Sequence, residues 1–215
     1  MKNNKHHFRH NFAKCFYFNR KIKVGILGGS FNPAHHGHIH ISSIALKKLK
    51  LDEIWWLVSP QNRLKNTDIR STFETRINFS KQLTCKNKKI KVLDLEKKNK
   101  LFSTYKSLKL FKKKSRNTKF VWLMGSDNLL YFHNWLKAEE IAKIFPVAVI
   151  ERPSYSYKVI NSLGANTLGK RLDSFNKNFF TPKNKSWIFI RDKLNNISST
   201  KIRNLDASLL NEKDN

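Results

Sequence analysis

Two glycines and two histidines near the start of the chain form a pattern that could bind and transfer phosphate groups. Gly28 and Gly29 come first, and His35 and His38 follow in the run Gly-Gly-Ser-Phe-Asn-Pro-Ala-His-His-Gly-His. Residues at positions i and i+3 share one face of a helical turn, so both imidazoles could donate N–H bonds to phosphate oxygens in a transition state. Because glycine has no Cβ, we expect the backbone at both glycines to turn sharply and to approach a phosphate closely.

The residues on either side of this run predict how it is positioned. Residues 24–27 are apolar and predict a buried strand, and apolar residues recur at helical spacing beyond His38. A strand that leads through a short turn into a helix places free backbone N–H groups where an anion binds well. A structural turn followed by two surface histidines is the alternative, and the length of the combined pattern argues against it.

Apolar strands and amphipathic helices alternate along the rest of the chain, and this alternation predicts the fold. We expect a Rossmann-like α/β architecture, an open and mostly parallel sheet with helices on both faces. Residues 96–100 are charged and predict a solvated linker, and Gly164 and Gly169 predict that no long helix forms between residues 154 and 185. The further predicted strands cover residues 54–58, 89–95, 119–124, 146–150 and 186–190, and helices are predicted at 72–83 and 139–143.

The 215 residues suffice for one domain with a well-buried core. Residues 1–21 are basic and aromatic, lack the features of a signal peptide, and predict an N-terminal extension. Residues 22–205 are expected to form a single α/β domain, followed by a C-terminal tail at 206–215.

The two cysteines, Cys15 and Cys85, show neither metal-ligand spacing nor a disulfide framework. We therefore expect free thiols, a cytoplasmic location and no protein-bound metal. No apolar run approaches the roughly 20 residues of a membrane span, so no membrane partner is expected.

The chain is strongly basic, because 43 Lys and Arg against 15 Asp and Glu give a formal net charge of +28. Such a charge first suggests nucleic acid. The lysines, however, are spread among many asparagines and isoleucines, a mixture that an AT-rich genome also produces. The sequence lacks the aromatic strands and arginine-rich repeats typical of RNA-binding proteins. A basic RNA-binding protein on the same fold is therefore the non-enzyme alternative, and small molecules that carry phosphate are the expected partners.

The glycine–histidine run resembles the signature of the nucleotidyltransferases that carry an HxGH motif, and within them that of the bacterial nicotinate-nucleotide adenylyltransferases. Residues 197–203, Ile-Ser-Ser-Thr-Lys-Ile-Arg, resemble the second signature of that family, and the resemblance spans residues 23–203. It implies transfer of the adenylyl group of ATP to nicotinate mononucleotide, with Mg²⁺ accompanying ATP. Nicotinamide mononucleotide or another small phosphate as the acceptor, and a cytidylyltransferase, are the alternatives.

The resemblance also implies roles for individual residues. His35, His38 and Arg203 are the implied catalytic residues, which would hold the α-phosphate and the leaving pyrophosphate. The loop at Lys65 keeps only part of the family's pattern. The implied ATP-binding residues are Gly28, Gly29, Ser30, Phe31, His35, His38, Gly125, Asp127, Arg152, Ile197, Ser198, Ser199, Thr200 and Arg203. The implied mononucleotide-binding residues are Asn32, Lys65, Thr104, Tyr105, Ser107 and Trp135.

Several of these residues have plain structural alternatives. Ser103 or Thr104 could cap one helix, and Asp127 could cap another. Arg152 could brace its own loop. Lysine is so common in this chain that Lys65 could lie in a loop through composition alone.

Overall fold

A sheet of parallel strands organises the part of the chain that the computed structural model describes, residues 21–60, 71–101, 103–115, 117–152, 159–175, 177–181 and 185–191. Seven strands form within these ranges, in the spatial order β3-β2-β1-β4-β5-β7-β6, and every pair is parallel. The strands are β1 Lys23–Gly29, β2 Glu53–Val58, β3 Ile90–Leu93, β4 Lys119–Gly125, β5 Val147–Ile150, β6 Lys170–Leu172 and β7 Ser186–Ile190. The predicted open parallel sheet is confirmed.

Helices connect the strands and cover both faces of the sheet, as predicted. The helices are α1 His36–Lys48, α2 Phe73–Thr84, α3 Leu95–Lys98, α4 Thr104–Lys114, α5 Ser126–Leu130, α6 Ala138–Ile144 and α7 Leu163–Leu168, with 3₁₀ turns at Phe132–Asn134 and Lys177–Phe180. Within the described ranges, no helix is both long enough and apolar enough to cross a membrane.

The order of the strands reverses beside β1. The chain first builds β1, β2 and β3 toward one edge, and β4 then pairs with the other side of β1, with Lys23 opposite Lys119. Open α/β sheets bind ligands outside the carboxyl ends of the strands at such a reversal. The glycine–histidine segment follows β1, and Asp127 follows β4, so both leave the sheet at this point.

Two apolar cores hold the sheet between its helices. Successive side chains of a strand point to opposite faces, so Ile26 and Trp122 join the core on one face while Leu27 and Leu123 join the core on the other. All four side chains are at most 4% exposed. The sheet is therefore a rigid platform whose strand ends hold fixed positions.

The charged run after β3 is solvated at residues 97–100, as composition predicts, but it forms a helical turn and buries its first residue. Strand β3 ends at Leu93, and Leu95–Lys98 forms the one-turn helix α3. Glu96 in this turn is only 5% exposed, and it accepts a hydrogen bond from Ser107 Oγ at 2.7 Å. Composition predicts that a charged residue such as Glu96 is exposed. It does not reveal that the Ser107 hydroxyl, from a later helix, provides a hydrogen-bond partner for the buried carboxyl.

The region between residues 154 and 185 contains a strand and a helix that its sequence pattern did not predict. Strand β6 is short and pairs with β7 at the sheet edge, where its Lys170 and Arg171 are exposed. The helix α7 has only six residues, in line with the prediction that no long helix forms. Gly164 lies within it, and a Cβ there would lie 1.7 Å from the Leu129 carbonyl oxygen, so the close approach requires glycine. Gly169 does end the helix, at a φ of 83°.

Candidate active site

The two glycines belong to strand β1 and do not form the turn that their sequence predicts. The φ angles of Gly28 and Gly29 lie outside the left-handed region. A Cβ on Gly28 would lie 2.3 Å from the ring of Trp122, so the absence of a side chain here allows a neighbouring strand's indole to pack closely. The prediction of a glycine turn is therefore wrong, because close packing across the sheet accounts for Gly28.

Phe31 makes the turn instead. Its φ is 48°, a left-handed conformation that costs on the order of 1 kcal/mol for a residue with a Cβ. Its ring is 1% exposed and stacks on Trp56 with centroids 4.8 Å apart, and it also contacts the ring of His38 at 4.8 Å. Burial of this ring offsets the backbone strain and brings the chain round toward α1.

The histidines cap helix α1 and orient each other. His35 is the N-cap residue, and its Nδ1 accepts a hydrogen bond from the backbone N–H of Gly37 at 3.0 Å. In return, the backbone N–H of His35 donates to Nδ1 of His38 at 3.2 Å. Because both Nδ1 atoms are acceptors, the proton of each neutral ring is on Nε2. The two rings lie 4.0 Å apart, between centroids.

Both histidines are neutral near pH 7. The pKa of His35 is lowered to about 4, mainly by burial and further by the positive charges of Arg152 and His36. Burial also lowers the pKa of His38 well below its usual range, with smaller contributions from His35 and Arg152. Within the described part of the chain, the Nε2 atom of His35 is buried and has no hydrogen-bond partner. The site therefore offers a neutral N–H donor without an acceptor.

A carboxylate and a guanidinium lie at the ends of the neighbouring strands β4 and β5. Asp127 Oδ2 accepts from Arg152 Nη1 at 3.2 Å, and the backbone N–H of Arg152 donates to Ser126 Oγ at 2.8 Å. Gly125 is the N-cap of α5, so Asp127 is not the capping residue. A Cβ on Gly125 would lie 2.4 Å from Asp127 Oδ1. Since Arg152 lowers the pKa of both histidines, these residues share one electrostatic site.

Arg76 holds the backbone segments that carry this site in place. The sequence alone assigned no role to this residue. Its side chain is 3% exposed, and its guanidinium donates to the carbonyl oxygens of Ser30, Ser59 at 2.8 Å and Pro60 at 2.9 Å. It thus ties the residues that follow β1 to those that follow β2. The sequence feature that could have revealed this role is an arginine on the buried face of an amphipathic helix, next to Ile77.

The implied mononucleotide segment begins helix α4. Ser103 is its N-cap and accepts from the backbone N–H of Lys106 at 3.4 Å, and Thr104 is the first helical residue. The ammonium group of Lys137 lies 4.9 Å from the centroid of the Tyr105 ring. Ser107 is fully buried and donates to Glu96, so its hydroxyl does not face an open site.

Two further residues of the implied mononucleotide site have defined neighbours. Trp135 packs against Phe132, and its indole lies edge-on to Trp122, the ring that covers Gly28. Asn32 accepts a hydrogen bond from Ser71 Oγ at 2.5 Å. Lys65, Ile197, Ser198, Ser199, Thr200 and Arg203 lie outside the described residues.

The donor set at this site is suited to phosphate. It consists of imidazole N–H groups and a guanidinium, which bind anionic oxygens. Among the described residues, no group of three or more His, Cys, Asp and Glu side chains is arranged to hold a metal ion.

Known proteins resemble this chain over most of its length. A model of the cytidylyltransferase-like family matches residues 26–205. A protein of Agrobacterium fabrum named probable nicotinate-nucleotide adenylyltransferase is 39% identical over 183 residues, which are 84% of this chain and 97% of that protein. A protein of Brucella suis with the same name is 36% identical over 184 residues, 85% of this chain and 94% of its own.

A solved structure shares the fold. Plasmodium falciparum nicotinic acid mononucleotide adenylyltransferase, complexed with NaAD, superposes with a TM-score of 0.63 at 21% sequence identity. The superposition covers 85% of this chain and 83% of that one. At this identity the likeness supports the architecture of the sheet and its helices.

Proposed function

This chain belongs to the cytidylyltransferase-like family, and we propose that it transfers the adenylyl group of ATP to nicotinate mononucleotide. The observation that carries the proposal is the pair of neutral imidazoles of His35 and His38, held by mutual hydrogen bonds beside Arg152. The cytidylyltransferase-like family is broader than this one reaction. Relatives that share more than a third of their residues with this chain carry the name of nicotinate-nucleotide adenylyltransferase, and their names support this reaction in particular.

The proposed reaction is a direct displacement at phosphorus. A phosphate oxygen of the mononucleotide forms a bond to the α-phosphorus of ATP while the bond from that phosphorus to the bridging oxygen of the β-phosphate breaks. Pyrophosphate leaves with the electron pair, and nicotinate adenine dinucleotide is the other product. No protein nucleophile is needed, so positioning and charge stabilisation supply the rate enhancement.

The residues of the site have distinct tasks in this displacement. The Nε2–H groups of His35 and His38 would donate to the oxygens of the α-phosphate as its charge is redistributed. Arg152, which Asp127 orients, would add a positive charge at the same strand ends. Ser199, Thr200 and Arg203 remain proposed ligands of the leaving pyrophosphate.

Mg²⁺ enters this proposal as part of the substrate. ATP carries the ion on its phosphate oxygens, where it neutralises charge on the leaving group. The described site contributes N–H donors, and its Asp127 carboxylate pairs with Arg152, so the protein would bind the metal–nucleotide complex through its phosphates. We also propose a cytoplasmic location, because the exposed free thiol of Cys85 suits a reducing compartment.

The first turn of α4 is the proposed site for the nicotinate group. A helix N-terminus favours a carboxylate, because its backbone N–H groups and dipole are positive there. Thr104 and Tyr105 lie in that turn, and Trp135 would lie beside the pyridine ring. Asn32 and Lys65 complete the proposed mononucleotide site.

Release of pyrophosphate from ATP and Mg²⁺, with nicotinate and nicotinamide mononucleotides assayed in parallel, tests the function. We expect release with the acid and little with the amide. His38→Ala should lower kcat by about 100-fold or more through loss of a transition-state donor. His36→Ala, an exposed histidine in the same turn, is the matched control and should keep turnover within about twofold. Folded protein that releases no pyrophosphate with either mononucleotide would refute the proposed function.

A further inference from the structure

A buried carboxylate links three segments that are far apart in the sequence. Glu96 on α3 is 5% exposed. It accepts from Ser107 Oγ on α4 at 2.7 Å, and the side chain of Ser59, just beyond β2, also hydrogen-bonds to it. The carboxyl thus adds a polar connection to the apolar core that these segments already share.

Ser59 extends the connection to the histidine segment. Its backbone N–H donates to the carbonyl oxygen of Gly29 at 2.9 Å, and its own carbonyl accepts from Arg76 Nη1 at 2.8 Å. The same Arg76 nitrogen donates to Ser30. A continuous set of hydrogen bonds therefore runs from the end of β1 to the first two turns of α4.

The buried Glu96 carboxyl in this network lowers the stability of the fold. Burial of a carboxyl without a cation is unfavourable, and it raises the pKa of Glu96 to about 7 despite the two serine hydrogen bonds. The adjacent lysines do not neutralise it, because Lys97 pairs with Glu74 and Lys98 pairs with Asp94. Because burial of this carboxyl is unfavourable by itself, its hydrogen bonds to Ser59 and Ser107 are the better explanation for its presence.

We propose that Glu96 is a positioning residue, which fixes the start of α4 relative to the carboxyl ends of β1 and β2 and so determines how tightly the mononucleotide binds. The identity of that substrate rests on the proposed function. The mechanical role of Glu96 does not, since it follows from the hydrogen bonds to Ser59 and Ser107. Glu96 contacts α4 directly through Ser107 but reaches the ATP-binding histidine segment only through Ser59 and Arg76, so its loss should weaken ATP binding less than mononucleotide binding.

Glutamine is the conservative variant that separates geometry from charge. Its amide has one hydrogen-bond acceptor and two donors in the same shape. Ser107 Oγ can accept from the amide and turn its own proton to the Ser103 carbonyl, which lies 3.2 Å away. Glu96→Gln should therefore keep α4 in place, whereas Glu96→Ala removes the link altogether.

Steady-state kinetics with each substrate varied is the first test. Glu96→Ala removes both serine hydrogen bonds and so releases the start of α4, which should raise KM for nicotinate mononucleotide about tenfold, with KM for ATP within about twofold of wild type. Glu96→Gln should stay within about threefold for both substrates. The exposed carboxyl of Glu140 on α6 provides the matched control, Glu140→Gln, which should change neither value.

Hydrogen exchange separates this inference from the proposed function. The amides of Lys106 and Ser107 should exchange about tenfold faster in Glu96→Ala than in wild type, while the amides of β4 are unchanged. This readout needs no substrate, so it decides the role of Glu96 even if nicotinate mononucleotide is not used. If Glu96→Ala does not fold, Ser107→Ala breaks the same link with a smaller change.

Three results would overturn the inference. One is unchanged exchange in the first turns of α4 in both alanine variants. The second is an equal rise in both KM values, and the third is a Glu96→Gln enzyme as impaired as Glu96→Ala. Any of them would mean that Glu96 contributes only to general packing.

Discussion

The backbone N–H of His35 donates to Nδ1 of His38, and Nδ1 of His35 accepts from the backbone N–H of Gly37 in the first turn of the same helix. The two side chains that would contact phosphate therefore also satisfy backbone groups at the start of α1. This arrangement leaves one N–H on each ring, on the nitrogen that faces away from the helix backbone. Nδ1 of each ring serves helix capping and Nε2 of the same ring would serve the chemistry, so a substitution here affects both unless the replacement is also a good cap.

His35→Asn separates capping from chemistry. Asparagine is a favourable N-cap residue, so the free energy of unfolding at pH 7 should change by no more than about 1 kcal/mol, whereas kcat should fall by about 100-fold. Urea denaturation and pyrophosphate release measure the two effects. A variant that retains wild-type turnover would show that the His35 imidazole is not needed for the reaction.

Acid should destabilise the wild-type protein through the same histidine. The folded-state pKa of His35, about 4, lies below its ordinary value of 6.5, so the unfolded chain binds more protons between these two values. The free energy of unfolding should therefore fall as the pH drops from 6.5 to 4, with roughly 3 kcal/mol at most from His35. Denaturation at several pH values should give a shallower fall for His35→Asn, and an equal fall would contradict the buried neutral imidazole.

Gly28→Ala should destabilise the fold. The added methyl group would lie 2.3 Å from the Trp122 ring, which is buried and cannot move freely. Overpacking of this kind costs about 1–3 kcal/mol. Gly29→Ala is the control, because its nearest neighbour is the Phe31 ring at 3.3 Å, and its loss of stability should be smaller. Equal Tm values for the two variants would argue against the packing role of Gly28.

Arg76→Lys should destabilise the protein and lower turnover despite the retained charge. A guanidinium can donate to three carbonyl oxygens in fixed directions, and one ammonium cannot reach all of them. Loss of these buried bonds should cost about 2–4 kcal/mol in denaturant unfolding. Arg171→Lys on the exposed edge strand is the control and should be neutral. Full stability of Arg76→Lys would show that charge alone suffices at this position.

Glu96→Gln should stabilise the protein at alkaline pH. The pKa of Glu96 is raised from 4.5 to about 7, so the folded state binds more protons between these values, and wild-type stability decreases as pH rises through them. Glutamine does not titrate, so its advantage should grow by roughly 2–3 kcal/mol between pH 5 and pH 8. Urea denaturation at both pH values provides the measurement, and a constant difference would contradict the raised pKa.

Strand and helix positions followed from local patterns because burial repeats with a different period in each element. The apolar runs before Gly28 and Gly125 predicted strands that the structure contains, and the histidine spacing predicted a helix start at the same place. Alternation of the two element types was enough to predict a parallel sheet with helices on both faces.

Contacts between distant segments were decided only by the tertiary structure. The packing of Trp122 on Gly28, the hydrogen bond from Ser107 to Glu96 and the reach of Arg76 to three carbonyls each join residues from separate elements. Local composition reports whether a residue tends to be buried, but not which partner it meets. The sequence by itself therefore determined the elements and the chemical groups, while strand order determined which of those groups share a site.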